Sequence, residues 1–207
     1  ANAGEKKKKK KKKRDSSCFS PPVLALLPGS REQELRHHLP LMRDACGLLA
    51  RDDDAPPGTR VVFLALPHHV ERIAAEAATW PLPAEVLPSS TSAERAAAFN
   101  ASTAAVAATG TATAQLFAHG VPHLAVYRAH PITELVAYAM AKNRHAYLPN
   151  IVLGRSVVPE LLGWDRATTA AVATEAARPL RLGSATREGG GGGEGGAGRE
   201  GSGGALE

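Results

Sequence analysis

Cysteine is nearly missing from this chain of 207 residues: there are two, Cys18 and Cys46, and no Cys-x-x-Cys spacing. Neither a zinc site nor a disulfide framework is indicated. No apolar run approaches the roughly 18 residues that a membrane-spanning helix needs, and the N-terminal region carries no apolar core of the secretory kind. Lysine is scarce outside one tract, since Lys142 is the only lysine beyond residues 6–13. The net charge of +5 therefore misleads. Nine of the 25 basic residues occupy 6–14, and residues 20–187 hold 15 basic against 14 acidic groups, so the body is nearly neutral. No aromatics interleave with the lysines to stack on bases, so nucleic acid is not the expected partner of this arm.

Catalytic signatures are lacking too. There is no Gly-x-Gly-x-x-Gly fingerprint, no Walker loop, no Gly-x-Ser-x-Gly elbow, no Cys/His nucleophile pattern and no obvious carboxylate pair. His37, His38, His68 and His69 come as neighbouring pairs without a third ligand at matching spacing, which reads as surface histidines and no metal site.

Short apolar runs alternate with longer helical patterns between the two tails. The runs lie at 23–27, 61–66, 84–87, 104–109 and 123–127, near-continuous rather than alternating, as in strands covered on both faces. Helical patterns fall at 31–50, 69–79, 92–101, 112–119, 132–143, 158–162 and 166–180, with a kink or break expected at Pro40. In the first of them Leu35, Leu39, Met42, Cys46 and Leu49 share one face. The expected fold is an α/β doubly wound parallel sheet over residues 20–185. The basic arm (1–19) and the glycine-rich tail (186–207) cannot bury enough apolar surface to order, and lie outside it.

Ligands of such sheets bind beyond the carboxyl ends of the strands. Three strand-to-helix junctions have suitable residues. At Pro28-Gly29-Ser30-Arg31, Ser30 and Gln33 form a capping-box pattern, and Arg31 sits where a helix dipole disfavours a cation. Either an anion lies there or the arginine points to water. At Thr109-Gly110-Thr111, the hydroxyls of Thr111 and Thr113 and the amide of Gln115 could meet a phosphate or ribose, or could serve a tight turn. At Tyr127-Arg128, followed by His130, a cation leaves a strand end, to meet phosphate or merely to cover the sheet. Asn150, directly after Pro149, fits a turn or a ligand contact.

Taken in order, LALLPGSREQEL, HLPLM, AATGTATAQL, GVPHLAVYRAHPIT, AYLPNIVLGR and VVPELL resemble the C-terminal half of the lipid-A-disaccharide synthases over residues 23–162. The resemblance implies one Rossmann-like lobe of a two-lobed GT-B glycosyltransferase, the lobe that holds the nucleotide-sugar donor. It implies transfer of 2,3-diacylglucosamine from UDP-2,3-diacylglucosamine to 2,3-diacylglucosamine 1-phosphate in lipid A biosynthesis, with no metal or other cofactor and with cationic groups stabilising the departing diphosphate. Carried over by position, Arg31 and Asn150 are the expected catalytic residues. Gly29, Ser30, Thr109, Gly110, Thr111 and Gln115 are expected to bind substrate, as are Tyr127, Arg128, Gly154, Arg155 and Glu160.

Thr109 stands where the family usually has Ser, and Gln115 where it has Glu; the neutral Gln115 can still hydrogen-bond but gives up a charge-assisted contact worth about 1 kcal/mol more than a neutral one. Nothing before Val23 corresponds to the lobe that would bring the lipid acceptor. The expectation is a partial or split gene product that binds UDP without forming disaccharide, associated peripherally with a membrane. By resemblance it would be cytosolic, or mitochondrial if the gene is eukaryotic. The rival readings are a non-catalytic nucleotide-binding module tethered by its basic arm to anionic lipid or nucleic acid, and a decayed remnant.

Overall fold

The computed structural model describes residues 21–51, 54–129 and 145–189. The basic arm, the helix expected at 132–143, His130 and the tail beyond Gly189 lie outside these residues.

Six parallel strands form one sheet: β1 (Val23–Leu27), β2 (Arg60–Ala65), β3 (Ala84–Pro88), β4 (Ala104–Ala108), β5 (His123–Tyr127) and β6 (Glu160–Leu162). Their order is β3-β2-β1-β4-β5-β6, so the strand sequence reverses direction between β1 and β4. The helices are α1 (Glu32–Arg51), α2 (Val70–Ala77) after a 3-10 turn at Pro67–His69, α3 (Ser92–Ala101), α4 (Thr111–Ala118), α5 (Leu148–Leu153) and α6 (Thr169–Gly189).

Successive strand residues point to opposite faces, and both faces are covered. Leu24, Leu26, Val61, Phe63 and Val106 pack with Leu35, Leu39 and Met42 of α1, Ile73 of α2 and Val172 and Leu180 of α6. Ala25, Leu27, Leu64, Ala105 and Ala107 pack with Phe99 of α3 and Leu116 of α4. This explains why the strands read as unbroken apolar runs: β1 and β4 are buried at every position. Alanine is mildly disfavoured in strands, yet the Ala-rich β4 is extended because β1 and β5 pair with it on either side.

Three expectations are corrected. Of the kink or break expected at Pro40, the break is absent, since α1 runs through that residue. Burial of Leu35, Leu39, Met42, Cys46 and Leu49 against the sheet outweighs the ~3 kcal/mol that an interior proline costs. Residues 158–162, expected as a helix, instead supply the edge strand β6: the Pro159 carbonyl accepts the Ala125 N–H at 3.0 Å, and Glu160, Leu161 and Leu162 pair with β5. Five residues are too few for a period to be legible. The last helix begins later than position 166, with the Thr168 hydroxyl capping it by accepting the Ala171 N–H at 3.3 Å. It also continues through Pro179 to Gly189, into the stretch assigned to the tail.

Candidate functional site

The turn between β1 and α1 is built around Gly29. Its φ of +119° lies in the region only glycine enters readily, and a Cβ there would sit 2.4 Å from Glu34 Oε2. That space is needed because the Glu34 side chain folds back over the turn. Its carboxylate accepts the Ser30 N–H at 2.8 Å and the Arg31 N–H at 3.2 Å, and pairs with Arg31 Nη1 at 3.3 Å. The capping side chain is thus Glu34 rather than the expected Gln33. The anion that makes a cation tolerable at this helix end belongs to the chain itself.

Two of the four histidines expected on the surface are buried and hold the carbonyls of this turn. His38, with no exposure, places Nδ1 2.7 Å from the Pro28 carbonyl and accepts the Arg128 N–H on Nε2 at 3.0 Å. His69 Nε2 lies 3.1 Å from the Ser30 carbonyl. A carbonyl only accepts and a backbone N–H only donates, so His38 carries its proton on Nδ1 and a lone pair on Nε2. Burial holds its pKa below the ordinary value, against the pull of the Pro28 carbonyl.

Beyond the carboxyl ends of β1 and β5 lies an open cleft lined by Arg31, Gln33, Glu34, His37, Tyr127, Arg128 and Ala129. Trp164 forms a support for it. Its ring lies 4.4 Å from the Arg128 guanidinium carbon, its Nε1–H donates to the Ala129 carbonyl at 2.8 Å, and the His37 ring meets it edge-on at 5.6 Å. The Arg31 side chain is 82% exposed at the mouth.

The β4–α4 turn behaves differently. The Thr109 N–H donates to the Val126 carbonyl at 3.0 Å, which sets this turn beside the end of β5. Gly110 is extended, with no neighbour near its missing Cβ. The Thr113 hydroxyl, expected to face a ligand, is fully buried and closes the turn by donating to the Gly110 carbonyl at 2.6 Å. Thr111 is exposed. Gln115 Oε1 accepts from Arg95 Nε at 3.0 Å, on the α3 side.

Asn150 and Glu160 form a separate network. The Asn150 amide donates to the Val158 carbonyl at 2.8 Å and to Glu160 Oε1 at 2.5 Å, while its oxygen accepts the N–H groups of Val157 and Val158 at 2.8 and 3.1 Å. Glu160 Oε2 caps α5 by accepting the Ala146 and Tyr147 N–H groups at 2.8 and 2.9 Å, and Oε1 meets His145 Nδ1 at 2.9 Å. Gly154, at φ +62°, ends α5, and Arg155 follows it in solvent. Folding therefore gathers Arg31, Tyr127 and Arg128, with Gly29 and Ser30 shaping the turn that carries Arg31. It leaves Thr109, Gly110, Thr111, Gln115, Asn150, Gly154, Arg155 and Glu160 outside the lining of that cleft. Glu34, His37, His38 and Trp164 were not foreseen as site residues, and no local pattern marks them.

The fold and cleft define a Rossmann-like α/β lobe with two arginines at the carboxyl edge of its sheet, where this class receives its ligands. The chain belongs to the lipid-A-disaccharide synthase family: the family model described as lipid-A-disaccharide synthetase matches residues 2–184. It is 36% identical to the lipid-A-disaccharide synthase of Nitrobacter winogradskyi over 145 residues, covering 70% of this chain and 35% of that protein. It is 37% identical over 141 residues to a protein of Arabidopsis thaliana named probable lipid-A-disaccharide synthase, mitochondrial, covering 68% of this chain and 30% of that protein. The chain thus spans about a third of the length of these relatives. Among solved structures, it aligns with the E. coli heptosyltransferase WaaC bound to ADP-2-deoxy-2-fluoro heptose. That match is 18% identical with a TM-score of 0.45, over 74% of this chain and 42% of the other. A glycosyl transferase family 9 structure from Veillonella parvula gives 15% identity and a TM-score of 0.47, over 79% and 47%.

Proposed function

We propose that this chain is the donor-holding lobe of a lipid-A-disaccharide synthase, receiving the diphosphate of a UDP-linked 2,3-diacylglucosamine in the cleft between Arg31 and Arg128. The observation that carries this reading is the convergence of Arg31, Tyr127 and Arg128 on one cleft from strand ends far apart in sequence. Because Glu34 already holds the Ser30 and Arg31 N–H groups, the diphosphate is met by the two guanidinium groups rather than by a bare helix end. Arg128 lies over the Trp164 ring, so its charge is preorganised where negative charge develops on the leaving UDP. Tyr127 borders the same space and would meet the sugar or base. Glycosyl transfer to the 2,3-diacylglucosamine 1-phosphate acceptor needs an acceptor-binding surface from the remainder of the relatives' length, so this chain alone binds UDP without making disaccharide. Among the described residues no helix is long and apolar enough to cross a membrane. Peripheral contact with a lipid surface belongs to the same reading by family resemblance.

Calorimetric titration with UDP tests it. Wild type binds. Arg128→Ala binds about 10–100-fold more weakly, as expected for a charge-assisted contact, and Arg31→Ala loses less because water screens its exposed charge. Unchanged affinity in Arg128→Ala would sink the placement of the diphosphate, and disaccharide formed by the purified chain would sink the need for a second lobe.

A further inference from the structure

The two halves of the cleft come from different strand ends, and one side chain joins them. Pro28 leaves β1 and Arg128 leaves β5, with β4 lying between those strands. The His38 ring bridges the gap, Nδ1–H to the Pro28 carbonyl at 2.7 Å and Nε2 to the Arg128 N–H at 3.0 Å. We propose that His38 is the positioning residue of this cleft, clamping the turn that carries Arg31 to the strand end that carries Arg128. Of the described residues, it is the one whose side chain hydrogen-bonds to both turns. His69 reaches only the Ser30 carbonyl.

The clamp works in one protonation state. A proton on Nε2 would confront the Arg128 N–H with a second donor and release that bond while leaving the Pro28 bond intact. The charged and titratable groups facing the ring are Glu34 and His37 on its own helix, and Tyr127 and Arg128 from β5. The Glu34 carboxylate favours the imidazolium, whereas burial, His37 and Arg128 oppose it, with burial the largest influence. The arginine spacing, and with it anion affinity, then depends on a histidine that touches no ligand.

The test uses the full chain and three forms: wild type, His38→Leu, which fills the space without hydrogen bonds, and His38→Gln, whose amide keeps an N–H donor group and an acceptor oxygen. Hydrogen–deuterium exchange of the Arg128 amide reads the clamp directly, and UDP titration at pH 8 and at an acidic pH where the His38 ring-nitrogen shifts report the imidazolium reads its consequence. In His38→Leu the Arg128 amide exchanges at least about tenfold faster and UDP binds about tenfold more weakly, and His38→Gln restores both. Wild-type affinity falls on acidification by more than that of His38→Gln, whose amide does not titrate.

Wild-type exchange of Arg128 in His38→Leu overturns the proposal, as does an equal pH dependence in wild type and His38→Gln. If His38→Leu does not fold, the ring-nitrogen shifts of wild-type His38 decide. A proton on Nδ1 and a bare Nε2 at pH 8 support the clamp, and any other state overturns it. The affinity consequence rests on the UDP reading above. A wild type that ignores UDP while its Arg128 exchange responds to His38→Leu refutes that reading and supports the clamp.

Discussion

Replacing Asn150 by alanine separates a structural role from a ligand-binding one. The residue has no exposure, and its amide makes four hydrogen bonds to the segment that becomes β6. Glu160 retains the Ala146 and Tyr147 N–H groups and His145 without it, so its loss is modest. The N–H groups of Val157 and Val158 lose their acceptor. The buried Val158 amide costs about 1–3 kcal/mol if left unpaired, and the half-buried Val157 amide less, because water can reach it. The sum is about 3 kcal/mol, a large share of the ~5–15 kcal/mol typical of a folded domain. At ~2–4 °C per kcal/mol for a chain of this size, the melting temperature falls by about 6–12 °C. Urea and thermal melts measure this, and UDP titration well below the transition measures the site. A variant as stable as wild type, within ~0.5 kcal/mol, refutes the structural role, and lost UDP affinity in that stable variant restores the ligand contact. Asn150→Asp adds a test of sign. Its new carboxylate faces Glu160, which raises its folded pKa above the unfolded ~3.9, so relative to wild type this variant is weakest near pH 7 and recovers as pH falls.

Gly29→Ala loses about 2–4 kcal/mol in the same melts, because a side chain at φ +119° is strained and its Cβ displaces the Glu34 carboxylate that caps α1; a loss below ~0.5 kcal/mol would contradict the described turn. Acidification destabilises the chain through His38 and His123, whose pKa values burial lowers from the ordinary 6.5. Both are neutral in either state above that value. As pH falls below it the unfolded chain takes up protons first, so stability is lost between pH 6.5 and the lower folded values; equal urea midpoints at pH 7.5 and pH 5 would exclude this.

Much of the sheet is legible before folding because its strands are buried on both faces. The bounds of β1, β5 and α3 coincide with their apolar runs and helical pattern, since each is long enough to carry a period or an unbroken apolar stretch between turn residues. β6 is not legible. Three residues show no period, and what makes them a strand is the open edge of β5 and the Asn150 side chain that fixes the preceding backbone. The candidate site divides in the same way. Arg31, Tyr127 and Arg128 stand in order at strand ends and could be named from the chain, whereas His38 looked like one of four exposed histidines because its two partners lie in other segments.

The sequence alone determined the alternation of strands and helices, the turn at Gly29, the neutrality of the body and the family, all of which depend on composition and near neighbours. Tertiary structure decided which polar groups remain available. Folding turned Glu34 onto the turn, His38 onto Pro28 and Arg128, Gln115 onto Arg95, and Asn150 onto Glu160 and the backbone before β6. The physical reason is that a buried donor or acceptor left unpaired costs about as much as a lost hydrogen bond. Each therefore takes the partner that packing brings within reach, and that partner is fixed by contacts between distant segments.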